Sequence, residues 1–163
     1  MASQEQPQQL VDPWSQWQLS ILLADAAQVV GGKLYILGGG WSVADPAPSA
    51  MAIALKISVP QTELDKRHSV RIALLDADGT SVQMGNNAPV EIRAEFEAIG
   101  LPETTFGMPM DVPMALQFFR PPLPAEHCFV WRIWINGQTQ PSWAVKFATR
   151  QSSSPFIFPP RLQ

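Results

Sequence analysis

Residues 90–97 alternate without a break: Val90, Ile92, Ala94 and Phe96 are apolar, while Glu91, Arg93, Glu95 and Glu97 are charged. In an extended chain successive side chains point to opposite faces, so this octet has one face for a core and one for water. A helix would scatter the same residues around its axis. The segment therefore reads as a half-buried strand, and the period of two recurs through the rest of the chain.

Val70, Ile72 and Leu74 form a second inward row, stopped by Asp76-Ala77-Asp78-Gly79, a turn sequence with a glycine free to take positive φ. Val112, Met114, Leu116 and Phe118 form a third, bounded by Pro109 and by Pro121-Pro122. Residues 51–59 are apolar enough for a central strand. Asn136-Gly137 is the strongest hairpin signal, because this pair suits a tight turn whose twist matches its strands. On the strand before it Phe129, Trp131, Ile133 and Ile135 share a face, and after it Trp143, Val145 and Phe147 do. Residues 17–23 and 33–37 read as strands joined through residues 24–32. About nine strands with frequent turn signals and no amphipathic helix give the expected class. It is all-β: a two-layer antiparallel β-sandwich, jelly-roll or immunoglobulin-like.

Proline supports this reading. Its 16 occurrences in 163 residues are about twice the usual share of about 5%. Proline cannot donate to a ladder and breaks helix interiors, so residues of this kind mark strand ends. Here they fall mostly between periodic segments and in two terminal stretches. Residues 1–16, rich in glutamine, and residues 150–163 read as extended arms around a domain of residues 17–149. The second arm ends in an apolar hook, Phe156, Ile157 and Phe158, expected to dock on its own domain or on a neighbouring subunit.

Charge narrows the partners. Eleven Lys+Arg against fourteen Asp+Glu give a net charge of -3, and the basic residues are scattered. Nucleic acid is disfavoured, because a phosphate-binding face needs concentrated positive charge. No apolar run approaches the roughly 20 residues that cross a bilayer as a helix, and no membrane partner is expected. The polar amino terminus lacks the basic and apolar regions of a secretory signal, so the expected location is the cytoplasm. Cys128, the single cysteine, is expected to be a buried, reduced structural thiol.

The stretches Ile21-Leu22-Leu23-Ala24-Asp25-Ala26-Ala27, Gly31-Gly32-Lys33-Leu34-Tyr35-Ile36-Leu37-Gly38-Gly39-Gly40-Trp41 and His68-Ser69-Val70-Arg71-Ile72-Ala73-Leu74-Leu75-Asp76-Ala77-Asp78-Gly79 carry a resemblance. They resemble a family of uncharacterised proteins found widely in actinobacteria and their phages and catalogued as a domain of unknown function. The likeness spans about residues 19–148 and leaves both arms outside. It implies a compact β-sandwich, and a virion location if the chain is phage-encoded. It carries no functional residue over.

Candidate chemistry falls short in each case. Gly38-Gly39-Gly40 is followed by no Gly-Lys-Ser/Thr and opens no helix, so it reads as a strand end with close backbone approach rather than a phosphate loop. Asp76-x-Asp78-Gly79 lacks the later oxygen ligands of a calcium loop. His68 and His127 have no thiolate, carboxylate or second nitrogen at ligand spacing. His127 neighbours Cys128 but points the other way in a strand, which suits no nucleophile and base pair. Glu91, Glu95 and Glu97 interleave with Arg93 on a solvated face, where nothing separates their pKa values for acid–base work. The expectation is a non-enzymatic protein without catalytic, cofactor or metal residues.

Six tryptophans remain. Trp131 and Trp143 fall on inward rows. Trp134 lies opposite Trp131 and so faces outward, while Trp14 and Trp17 sit where the first arm meets the domain. Trp14, Trp17, Trp134, Phe156, Ile157 and Phe158 are thus the candidate partner contacts. Two functions follow from different classes. One is a structural or assembly subunit of a homo-oligomer or larger particle, such as a phage decoration or accessory protein. The other is a ligand-binding module whose outward aromatics take a carbohydrate or another flat apolar group.

Overall fold

The structure is a computed structural model and describes residues 12–101 and 107–152. Their regular elements are strands, save for two single 3-10 turns at Pro13–Ser15 and Gln61–Glu63. In chain order the strands are β1 (Gln18–Ala24), β2 (Ala26–Val30), β3 (Lys33–Leu37), β4 (Val43–Ala44), β5 (Ala50–Val59), β6 (Arg67–Asp76), β7 (Glu91–Glu97), β8 (Met110–Phe119), β9 (Cys128–Ile135) and β10 (Ala144–Thr149). They form three open sheets: β1-β5-β8, β4-β10-β9-β6-β7, and the hairpin β2-β3. The fold is all-β, as the period of two implied.

Among the described residues ten strands stand where about nine were expected. Two match no expected segment. One is β2, inside the segment read as a connection: Ala26-Ala27-Gln28-Val29-Val30 has no apolar–polar alternation to announce it. The two-residue β4 also escapes any pattern. It runs parallel to β10, with Val43 beside Ala148 and Ala44 beside Thr149. The five-stranded sheet is therefore mixed, where antiparallel pairing throughout was expected.

The inward rows meet in one core. β5 is the middle strand of its sheet, and Met51, Ile53, Leu55, Ile57 and Val59 are almost fully buried. Leu19, Ile21 and Leu23 of β1 lie opposite Ile57, Leu55 and Ile53, and Val112, Met114 and Leu116 of β8 lie opposite the same three. From the other sheet come Val70, Ile72 and Leu74 of β6, Phe129, Trp131, Ile133 and Ile135 of β9, and Phe147 of β10, with Trp143 just before it. The sheets touch directly where the ring centroids of Phe118 on β8 and Trp131 on β9 lie 4.6 Å apart. Ala52 and Ala54, on the other face of β5, are buried as well, and the β2–β3 hairpin packs against β5 and β8.

Turns follow their chemistry. Asn136 and Gly137 take φ of 50° and 76°, the doubly left-handed geometry of a tight hairpin turn. Asp76 Oδ1 accepts the backbone N–H of Asp78 and of Thr80 and thus caps its own turn. A Cβ on Gly38 would occupy the space of the Asp25 carboxylate, and one on Gly39 would lie 2.7 Å from Ile36 Cγ2. Gly38 and Gly39 are where the chain folds closely back on its own hairpin.

Candidate functional site

Strand parity puts Arg71 of β6, Arg93 and Glu91 of β7, and Trp134 of β9 on the outer face of the five-stranded sheet. Register brings them together: Arg71 lies opposite Trp134 on one side and opposite Arg93 on the other. The guanidinium carbon of Arg71 is 4.2 Å from the centroid of the Trp134 ring, a cation held over a π face. Arg71 Nε is 3.0 Å from Glu91 Oε2, and Arg93 Nε is 2.8 Å from Glu91 Oε1. Two guanidinium groups thus share one carboxylate. Hydrogen bonds from Arg93 and then Arg71 hold the Glu91 carboxyl below the usual carboxylate range, outweighing the opposing effect of burial.

These side chains border a groove of about 730 Å³, lined by Ser69, Val70, Arg71, Arg93, Ala94, Glu95, Trp134 and Gly137. Its walls combine a flat indole, small apolar side chains and two guanidinium groups. Glu95 is also weakly paired, 3.7 Å from Arg67 Nη1, with both side chains largely exposed. Such a surface can bind, stack and neutralise charge.

The remaining candidate contacts scatter. Trp14 is more than half exposed, beside the 3-10 turn capped by Asp12. Trp17 turns inward, its ring edge-on to His68 at 4.9 Å and to Phe96 at 6.2 Å, so it closes one end of the core. Phe156, Ile157 and Phe158 lie outside the described residues. Trp134 is half-buried under Arg71, so the outward parity read from the sequence meets a partner from the same chain.

Cys128 corrects the expectation of a buried thiol, for it is exposed. Inward residues of β9 are odd-numbered, and Cys128 shares the parity of Val130, Arg132 and Trp134. His127 Nδ1 is occupied by the Ala125 carbonyl at 2.6 Å. His68 is buried, with Nε2 donating to the Glu63 carbonyl at 2.8 Å and Nδ1 facing the Asn136 amide at 3.0 Å. Among the described residues no three His, Cys, Asp or Glu side chains are grouped to hold a metal ion, and no helix is long and apolar enough to cross a membrane.

Sequence reasoning did not single out the β2–β3 hairpin, yet among the described residues it gathers the most exposed large apolar side chains. Val29, Val30, Tyr35, Ile36 and Leu37 are all exposed, with Leu37 at 71%. Leu22 and Phe119, on β1 and β8, are exposed as well. The signal was present in the composition of residues 29–37, but without alternation it did not say which side chains would be left uncovered.

No curated protein and no solved structure matches the chain significantly. A family described as being of unknown function, DUF6941, matches residues 19–147, from β1 to near the end of β10. That match spans the greater part of the sequence, and the chain belongs to this family.

Proposed function

We propose that the protein is a non-enzymatic interaction subunit, a two-layer sandwich that associates with a second copy of itself through β3. The observation that carries this reading is the exposed apolar hairpin, since exposed apolar patches of this kind mark contact surfaces. Three of the other outer strands bear features that discourage pairing, whereas β1 bears no charge or proline but leaves only Leu22 among its large apolar side chains exposed. β7 presents Glu91, Arg93, Glu95 and Glu97, β8 contains Pro113, and β4 is only two residues long. β3 contains no proline, and its one charged residue is Lys33 at its start.

The two-residue Gly31-Gly32 loop makes Val30 and Lys33 a hydrogen-bonded pair. By alternation Leu34 and Ile36 then turn their backbone N–H and C=O groups away from β2. Two copies of β3 paired antiparallel about Tyr35 join Leu34 of each to Ile36 of the other, and set each Lys33 against a Leu37. Like charges never meet, and the arrangement is self-complementary, as a two-fold interface requires. A decoration or accessory subunit on a phage particle is one assembly that such pairing could serve.

Light scattering on the full chain tests this. The wild type should have the mass of a dimer or higher oligomer. Tyr35→Lys, which places two ammonium groups face to face, should have the mass of a monomer with an unchanged circular dichroism spectrum. A monomeric wild type, or an unchanged mass in Tyr35→Lys, refutes association through β3.

A second reading is favoured by a separate observation, the Trp134 groove with its two arginines. Under this reading the outer face of the five-stranded sheet takes a small ligand.

A further inference from the structure

Arg71 is constrained on several sides. Its backbone is in the interior of the five-stranded sheet, its guanidinium lies over Trp134, and its Nε is held by Glu91. An arginine fixed this way loses little freedom when it engages a further group. Glu91 engages only Nε of Arg71 and of Arg93, which leaves the terminal amino groups of both forks available to another acceptor. A planar carboxylate matches such a fork with two parallel hydrogen bonds.

Charge sets the valence of that acceptor. Across the outer face of β6, β7 and β9, Arg67, Arg71, Arg93 and Arg132 stand against Glu91, Glu95 and Glu97, which leaves one surplus positive charge. A monoanion balances it, whereas a dianionic phosphate would crowd Glu95. The apolar part of the site, Trp134 with Ala94 and Val70, suits a flat ring. Because Arg71 already covers one side of the indole, a neutral sugar would have to displace it in order to stack there, while an anion would use it.

We propose that the groove between β6, β7 and β9 binds a small planar monocarboxylate, its carboxylate on the Arg71 and Arg93 forks and its flat body against Trp134. This rests on the second reading above and narrows it to one ligand class.

The test is a titration of the full chain with sodium benzoate, with benzamide as the neutral isostere, and with methyl glucoside. It is followed by NMR through the Trp134 indole N–H, assigned with Trp134→Phe, and the Ser69 and Gly137 amides. Benzoate should give saturable shifts at these signals, and benzamide and the glucoside should bind roughly ten-fold more weakly or worse. Arg71→Gln and, separately, Arg93→Gln should each weaken benzoate to a similar degree while the rest of the spectrum stays dispersed. If benzamide or the glucoside binds as well as benzoate, or if benzoate binding survives both substitutions, the carboxylate assignment is overturned while a ligand site at Trp134 stands. If none of the three gives a saturable shift, both the assignment and the ligand-binding reading fail.

Discussion

The Nδ2 of Asn136 lies 3.0 Å from Nδ1 of His68, so a residue of the β9–β10 turn completes the hydrogen bonding of an imidazole buried in β6. The same side chain accepts the backbone N–H of Ser69 through Oδ1 at 3.0 Å. Asn136 does this from a left-handed backbone with φ of 50°, a conformation that asparagine tolerates better than alanine.

Asn136→Ala should therefore lose stability on two counts. A buried ring nitrogen is left without a donor, and the new residue is strained. We expect a loss of about 2–4 kcal/mol in urea denaturation. Asn136→Gly removes the same hydrogen bonds without the strain, so it should be the milder change. Equal stability of all three proteins would show that the turn does not lean on His68.

Glu91 gives a pH dependence. Its folded pKa is held down by Arg93 and Arg71, so its contribution to stability is present above the ordinary carboxylate range and is lost as pH falls through the folded value. Wild type and Glu91→Gln should differ most near neutral pH and converge in acid. A difference that stays constant from pH 7 to pH 2 would mean that the carboxylate charge contributes nothing.

Cys128, exposed on the outer face of β9, should react with a thiol reagent such as 5,5′-dithiobis(2-nitrobenzoate) in native protein, giving one equivalent without denaturant. Protection until the chain is unfolded would place the sulfur inside. Cys128→Ser should leave the unfolding free energy within about 0.5 kcal/mol of wild type, as surface substitutions do.

Core and surface apolar residues should separate cleanly. Ile53, buried between Leu23 and Leu116 in the middle of β5, should cost about 2–5 kcal/mol as Ile53→Ala in chemical denaturation. Leu37→Ser, at a site mostly open to water, should change the stability of the monomer by about 0.5 kcal/mol or less. Were Leu37→Ser as damaging as Ile53→Ala, the hairpin would be covered by something within the same chain.

Much of the sheet structure was written in the sequence wherever one face of a strand is wet. Residues 90–97 declare β7 because Glu91, Arg93, Glu95 and Glu97 mark every outward position. The outward parity of Trp134 followed from Trp131, and the Asn136-Gly137 turn from its own chemistry. Cys128 was misplaced although its parity was legible, because the usual burial of cysteine was allowed to outweigh the odd-numbered inward row of β9. The stacking of Arg71 on Trp134 could not be read at all. It depends on the register between strands more than fifty residues apart, which is fixed by tertiary packing and not by any local pattern.

The parallel pairing of β4 with β10 ties residues 43–44 to residues 148–149, and β10 also closes the open edge of β9. During synthesis β4 must therefore wait for β10, and β6, although β7 follows it closely, keeps its other edge unpaired until β9 is made. Most of the sheet is built from partners far apart along the chain, which slows folding because long loops must close before their contacts reward it. The nascent chain thus carries an unpaired, aggregation-prone strand edge on β6 while residues 77–127 are made.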